Sequence, residues 1–201
     1  MHATVLWQNP GSQGTDTSNR NLQEALCSLF NENPYQVNFI AGYASASGLE
    51  PLKEPILAFA RKGNLFRMVI GTDFGNGHEQ MFRDSVEQFM AFQNLVPDRI
   101  QIRAFTHSVS GENLHSKMYM FRYPDYVKVI IGSGNLTRHG MTRNHELSVG
   151  LRLEREGDRA DIIDLYKIWR RYWYASVWAD RLPRNGNGNG RSVPTANGSR
   201  T

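Results

Sequence analysis

Two short polar motifs lie at opposite ends of two neighbouring apolar runs. The first motif, His115-Ser116-Lys117, opens one run, and the second, Gly132-Ser133-Gly134-Asn135, closes the run 127–131. Alternating apolar residues and β-branched side chains predict a strand for each run, with a turn at Pro124 and Asp125 between them. A hairpin of this kind returns the chain to its start, so we expect the two motifs to meet.

The residue types in these motifs suit a phosphodiester substrate. His115 and Lys117 are two residues apart on a predicted strand, so their side chains project from the same face. A neutral ring nitrogen of His115 can attack phosphorus, while the ammonium of Lys117 supplies a point charge to the non-bridging oxygens. Hydrogen bonds to the same oxygens are expected from the glycine-rich turn, formed by Gly132, Ser133, Gly134 and Asn135.

A nucleophilic histidine needs a partner on its second ring nitrogen, because that partner fixes the tautomer. Glu146, next to the predicted strand 147–153, is the candidate that orients His115. Arg138, Arg143 and Asn144 precede this strand and are candidate substrate contacts, since guanidinium and carboxamide groups hydrogen-bond phosphate oxygens.

Together, His115-x-Lys117, the Gly-Ser-Gly-Asn turn and Asn144-x-Glu146 resemble the phospholipase D superfamily. The continuation from Gly140 to Glu146 looks like its single-motif nuclease branch, which includes the catalytic domain of metal-independent restriction endonucleases. The resemblance implies a phosphohistidine intermediate, neither metal nor cofactor, and a homodimer whose two motifs form one active centre. Arg122 occupies the position of an Asp in the fuller family motif, which we interpret as weakening phospholipase activity more than nuclease activity.

Charge and cysteine content restrict the class of protein only loosely. A net charge of +4 and a pI of about 9.3 suit an anionic partner without requiring one. The arginines near the motifs in sequence are Arg99, Arg103, Arg122, Arg138 and Arg143. The single cysteine, Cys27, lies in an apolar helical pattern and is interpreted as a buried thiol. With no signal peptide and no run of ~18 apolar residues, we expect a cytoplasmic protein that binds no membrane.

Helical and strand patterns alternate along the chain. Helices are predicted at residues 21–32, 49–61, 78–93 and 158–178, with Pro55 favouring a kink or a later start in the second of them. Strands are predicted at 37–43, 65–71, 100–105 and 147–153, in addition to the hairpin. The fold class is therefore α/β, a mixed sheet flanked by helices with one motif per chain. We expect one domain at 1–182 and a flexible Gly/Asn-rich tail or linker at 183–201.

The leading hypothesis is a metal-independent nuclease that cleaves nucleic acid, DNA rather than RNA, with a role in restriction suggested by family analogy alone. Two alternatives remain open: phospholipase or phosphatidyl-transfer activity, and a non-catalytic nucleic-acid-binding module. Asp73 and His78 either border the cleft or belong to a capped loop, and we favour the capped loop.

The mechanism needs a second histidine as acid, and the chain has one His-x-Lys motif. A second copy of the chain is the simplest source, with motif loops forming the interface and Arg138, His139 and Arg143 near its rim. In a monomer, His107 would be the first candidate for the acid.

Overall fold

The computed structural model describes residues 1–8, 21–71, 79–106 and 112–178. Within these ranges the chain forms one mixed sheet with helices on both faces, which confirms the predicted fold class. The expected tail at 183–201, together with Asp73, His78 and His107, lies outside the described residues. No helix in the described ranges is long and apolar enough to cross a membrane.

Eight strands form the sheet. Their bounds are β1 (His2–Gln8), β2 (Gln36–Ala41), β3 (Leu65–Gly71), β4 (Ile100–Phe105), β5 (Lys117–Arg122), β6 (Tyr126–Gly132), β7 (Glu146–Glu154) and β8 (Val177–Trp178). They are arranged in the order β1-β7-β6-β5-β2-β3-β4-β8. Strands β2, β3 and β4 are parallel to one another, and the remaining pairs are antiparallel. The predicted hairpin is the β5–β6 pair.

Six helices and one 3₁₀ turn connect the strands. Their bounds are α1 (Leu22–Asn31), α2 (Ala46–Leu49), the 3₁₀ turn (Glu50–Leu52), α3 (Lys53–Arg61), α4 (Glu79–Gln93), α5 (Arg138–Thr142) and α6 (Arg159–Ala175). Helix α1 begins where the side chain of Asn21 accepts a hydrogen bond from the Glu24 amide at 2.8 Å. Helix α3 ends before Gly63, whose φ of 87° glycine adopts without strain.

The first face of the sheet carries the larger core. Helices α1, α3 and α4 contribute apolar side chains to it, and aromatic rings from the strands fill its centre. Phe30, Phe39 and Phe121 pack edge to face with centroids 5.1–6.3 Å apart. Every residue of β2 is buried, because helices cover this central strand on both faces. The strands that carry the motifs pack against this core.

In the part of the chain that the structure describes, helix α6 is the element that covers part of the second face. Trp169 and Trp173 are buried, stack at 5.1 Å, and pack on apolar side chains of β2, β3, β5 and β6. The guanidinium carbon of Arg67 lies 4.1 Å from the centre of the Trp169 ring. Cation–π contact therefore joins the helix to the sheet as well as apolar burial.

Two predicted helices differ from the structure. The helix expected at 49–61 is divided, because Pro51 lies in the 3₁₀ turn and Pro55 is accommodated in the first turn of α3. The helix expected at 158–178 ends at Ala175, and its last residues form β8 against β4. The Ser176 hydroxyl donates to the Trp173 carbonyl at 2.8 Å, which satisfies a terminal helical acceptor and marks the change of direction.

Two of the arginines near the motifs in sequence lie elsewhere. Arg122 ends β5, at the opposite end of that strand from Lys117, and its guanidinium lies over the rings of Tyr35 and Tyr166. Arg103 lies over the rings of Trp173 and Trp178. These side chains stabilise the packing of α6 instead of lining the motifs.

Candidate active site

The two motifs meet at one edge of the sheet. Strands β2 and β3 end there, β5 begins, β6 ends and β7 begins. Register makes this explicit, since Lys117 pairs with Ala41 at the end of β2, and Gly132 pairs with Ser148 on β7. The carboxyl ends of parallel strands are a common position for binding sites in α/β sheets.

Two glycines make room for the His115 segment. A Cβ on Gly42 would lie 3.0 Å from the Cα of His115 and from the carbonyl oxygen of Leu114. A Cβ on Gly71 would lie 2.3 Å from the carbonyl oxygen of Gly42 and 3.1 Å from that of Leu114. The chain therefore passes directly over the ends of β2 and β3. The absence of a side chain at both glycines allows this close approach.

His115 and Lys117 lie side by side at this edge. His115 precedes β5 and is exposed, whereas Lys117 opens the strand with 6% of its surface exposed. The Lys117 Nζ lies 3.2 Å from His115 Nδ1 and 3.4 Å from Nε2, and it donates to the His115 carbonyl at 2.7 Å. The Lys117 ammonium thus places a positive charge directly beside both ring nitrogens of the candidate nucleophile.

Burial lowers the pKa of Lys117, and the negative charge of Glu146 opposes that shift. The two effects have separate causes. Desolvation disfavours the ammonium, while a nearby carboxylate stabilises it. A bound phosphate would act in the same direction as Glu146.

The carboxylate of Glu146 organises the second motif. One oxygen accepts a hydrogen bond from the Ser133 hydroxyl at 2.5 Å, and the other accepts one from the side-chain NH₂ of Asn144 at 3.2 Å. The Ser133 hydroxyl also accepts from the Leu147 amide at 3.1 Å. In the described part of the chain, the hydrogen bonds of Glu146 thus go to Ser133 and Asn144, and none joins it to His115.

Asn135 is held in one orientation. Its side-chain oxygen accepts from the Tyr43 amide at 3.0 Å, in the loop that follows β2. Among the residues described, no hydrogen bond occupies its NH₂ group, which leaves that group free to donate to an anion.

The glycines of the turn serve close packing. A Cβ on Gly132 would lie 2.1 Å from Ser148 Oγ, so the end of β6 fits against β7 only without a side chain. The Gly134 carbonyl accepts from the Tyr119 hydroxyl at 2.8 Å. Burial first, and then the charge of Glu146, raise the pKa of Tyr119, so this phenol stays a donor under the turn.

A groove of about 490 Å³ opens at the motifs. Its polar lining is His115, Ser116, Lys117, Gly132 and Ser133, and its apolar lining is Ile40, Met118, Ile131, Leu165 and Ile168. The nucleophile candidate therefore shares one opening beside α6 with Lys117 and Ser133, whereas Gly134, Asn135 and Glu146 are not part of the lining.

The remaining predicted contacts lie outside this lining. Arg138 and Arg143 are exposed at the two ends of α5, a helix that the sequence patterns do not predict. The Thr137 side chain accepts from the Gly140 amide at 2.9 Å and begins that helix. Asn144 contacts Glu146, as described above. In the described ranges, no group of three His, Cys, Asp or Glu residues is placed to hold a metal ion.

Four residues that support the site are not predicted from the sequence. They are Gly42, Tyr43, Gly71 and Tyr119. Their only sequence signal is position, because each lies on or just after a strand that reaches the motif edge. Which of them contacts which motif depends on strand order, and no local pattern encodes that order.

Comparison with known proteins agrees with this geometry. The profile of the family described as NgoFVII restriction endonuclease N-terminal PLD domain matches residues 20–168. This match confirms the resemblance predicted from the motifs. No curated protein sequence matches the chain.

Solved structures share the fold at low sequence identity. The phospholipase D family member Nuc from Salmonella typhimurium has a TM-score of 0.58 at 15% identity, covering 87% of this chain and 95% of its own. NucT from Helicobacter pylori has a TM-score of 0.60 at 12% identity, covering 88% and 98%. A phosphatidylserine synthase from Haemophilus influenzae has a TM-score of 0.59 at 11% identity, covering 84% and 38%.

Proposed function

Because the chain belongs to the family of NgoFVII restriction endonuclease N-terminal PLD domains, and so to the phosphodiester hydrolases, we propose that it cleaves nucleic acid through a phosphohistidine intermediate without a metal. The observation that carries the proposal is the contact of His115 with Lys117 within 3.4 Å, at the groove that Ser133 also lines. Nucleophile, charge and hydrogen-bond donors thus face one small volume.

In the first step, a ring nitrogen of His115 forms a bond to phosphorus while the bond to the leaving oxygen breaks. The leaving oxygen takes a proton from a second histidine. Lys117 and the free NH₂ of Asn135 stabilise the charge that develops on the non-bridging oxygens. In the second step, the second histidine accepts a proton from water, the water oxygen bonds phosphorus, and the phosphorus–nitrogen bond breaks.

Glu146 has a different role in this scheme from the one predicted. Its hydrogen bonds to Ser133 and Asn144 support an organising role for the turn. Its charge stabilises the ammonium of Lys117. Orientation of His115 by Glu146 would require the carboxylate to exchange one of these partners when substrate binds.

We further propose that the second histidine is His115 of another copy of the chain. An apolar surface beside the site supports this. This surface, here called the open face, consists of Val5, Ile131, Leu147, Val149 and Ile168. Val149 pairs with Val5 on one side and with Ile131 on the other, so the three side chains share the α6 face of the sheet.

The open face is continuous with the site. Ile131 and Ile168 line the same groove as His115 and Lys117. The five side chains are 38–61% exposed, which is unusual for a contiguous apolar surface on a protein that stays monomeric. A second copy packed here would cover it and bring its own motif to the groove. The interface would then use strands as well as the motif loops that the sequence suggested.

DNA is the proposed substrate, and Arg138, His139 and Arg143 are its proposed backbone contacts. All three are exposed around α5, next to the second motif. Cations in such positions bind phosphates without reading sequence. A lipid substrate would share the chemistry, so the test includes one.

The test is incubation with single-stranded DNA, duplex DNA, RNA and phosphatidylcholine vesicles in EDTA. We expect cleavage of DNA, its loss in His115→Ala, and labelled protein after acid-free quenching with 5′- or 3′-labelled substrate. Dependence on a divalent cation would overturn the metal-independent mechanism. Lipid turnover without nucleic-acid cleavage would favour the phospholipase alternative, and DNA binding without cleavage would favour the non-catalytic one.

A further inference from the structure

The segment 114–116 that carries His115 is anchored at Leu114, which is buried, whereas His115 and Ser116 are exposed. Strand β5 begins at Lys117, so His115 and Ser116 precede the regular pairing of the sheet. The contacts already described on this segment come from Lys117, Gly42 and Gly71. A nucleophile needs tighter control than this, because small misplacements lower the rate of an oriented reaction steeply.

Tyr172, on helix α6, provides a further contact to this segment. Its hydroxyl lies 3.1 Å from the Ser116 hydroxyl. Its ring packs edge to face against Phe105, the last residue of β4, with centroids 5.6 Å apart. Phe105 is 1% exposed, so the phenol stands on a fixed support.

Helix α6 is suited to carry such a contact. Leu165, Ile168 and Tyr172 follow the helical repeat and lie on one side of the helix, and the first two line the groove. On the neighbouring side, Trp169 is clamped by Arg67. The packing of α6 on the second face of the sheet thus determines the position of Tyr172.

We propose that Tyr172 is a positioning residue for the reaction, acting through Ser116 to hold His115 in line with the scissile phosphate. Tyr172 lies beyond the stretch that matches the family, and no sequence motif includes it. The proposal rests on the proposed nuclease reaction. It assigns Tyr172 no contact with substrate and no proton transfer.

The test is a double-mutant cycle with Tyr172→Phe and Ser116→Ala. Tyr172→Phe keeps the ring against Phe105 and removes only the hydroxyl. We expect kcat to fall about three- to tenfold, the effect of one neutral hydrogen bond, with KM unchanged. The double variant should lose no more than either single variant, because both remove the same interaction. Tyr174→Phe, which alters an exposed ring on the same helix, is the matched control and should leave both constants unchanged.

A second measurement does not depend on activity. Hydrogen exchange of the backbone at residues 114–116 should be faster in Tyr172→Phe than in the wild-type protein and Tyr174→Phe. Unchanged exchange, an effect on KM alone, or additive losses in the cycle would each overturn the positioning role. If the wild-type protein cleaves nothing, the nuclease proposal fails, while the exchange experiment still decides whether Tyr172 tethers the segment.

Discussion

At the scale of single residues, the ammonium of Lys117 depends on Glu146. Burial lowers the pKa of Lys117, and the charge of Glu146 partly restores it. In Glu146→Gln the restoring charge is lost, so the pKa of Lys117 should fall further and the ammonium should be lost at lower pH. We therefore expect the alkaline limb of kcat/KM to move to lower pH.

The measurement is a pH profile of cleavage above neutrality. Glu154→Gln, which removes an exposed carboxylate at the other end of β7, is the control and should keep the wild-type profile. An unmoved alkaline limb in Glu146→Gln would show that Lys117 is not the group that titrates there.

Gly42 offers a second residue-scale prediction. A Cβ at this position would lie 3.0 Å from His115 Cα, so Gly42→Ala should displace the His115 segment by a few tenths of an ångström. We expect kcat to fall about tenfold or more, with KM and melting temperature changed much less. Gly157→Ala, where a Cβ meets nothing within 4 Å, should behave as wild type. Equal activity in the two variants would mean that the segment tolerates the shift.

The sequence predicts the reactive residues of the site better than their supports. His115, Lys117 and Ser133 are recognisable because residue type and spacing carry their chemistry, and the structure brings them to one groove. Gly42 and Tyr43 are not recognisable, since the groups that they contact in the motifs are 70 or more residues away in the chain. The reactive residues are therefore recognisable from short stretches of sequence, whereas the residues that support them sterically are not.

At the scale of elements, the attachment of α6 to the sheet is partly electrostatic. Arg67 stacks on Trp169 and donates to the side chains of Asn38 and Tyr166 at 3.2 and 3.4 Å. Arg67→Ala removes these contacts and leaves a buried Asn38 oxygen without that donor. We expect the free energy of unfolding to fall by about 2–3 kcal/mol.

Chemical denaturation measures this change directly. Arg170→Ala removes an arginine that stacks on the exposed ring of Tyr174, and it should alter the free energy of unfolding by no more than about 0.5 kcal/mol. If Arg67→Ala is as mild, apolar packing alone holds the helix.

Element prediction succeeds where burial repeats with a clear period. Strands β3 and β4 have the bounds that the patterns predict, because their apolar runs are short and clearly delimited in the sequence. Helix α5 escapes prediction because five residues are too few to establish a period. Strand β8 escapes because two residues pair only where β4 leaves an edge open.

At the scale of the whole molecule, uneven coverage of the sheet has consequences. Within the described ranges, several helices cover one face, whereas α6 is the element that covers part of the other and leaves the open face exposed. This imbalance is invisible in composition, since a surface with scattered apolar residues has the same content. Only the register of β1, β7 and β6 shows that the exposed residues are neighbours.

If a second copy covers the open face, a charge placed there should separate the subunits. Cleavage should be lost at the same time. Val5→Asp tests this, because Val5 is 61% exposed on the edge strand and pairs with Val149, outside both motifs in the sequence. Burying an unpaired carboxylate in an apolar interface costs several kcal/mol, enough to shift a dimer to monomers at micromolar concentration. We expect sedimentation to give a mass near the 22.9 kDa of one chain instead of roughly twice that.

Leu95→Asp is the matched control for this experiment, since Leu95 is 60% exposed and lies between α4 and β4, away from the open face. It should remain an active dimer. Mixed dimers with one His115→Ala subunit provide a second test of the shared centre. A shared centre with two obligatory histidines predicts that such dimers lose activity, whereas two independent sites predict that half is retained. A Val5→Asp monomer with full activity would require the acid to come from the same chain, and His107 would then be the first residue to replace.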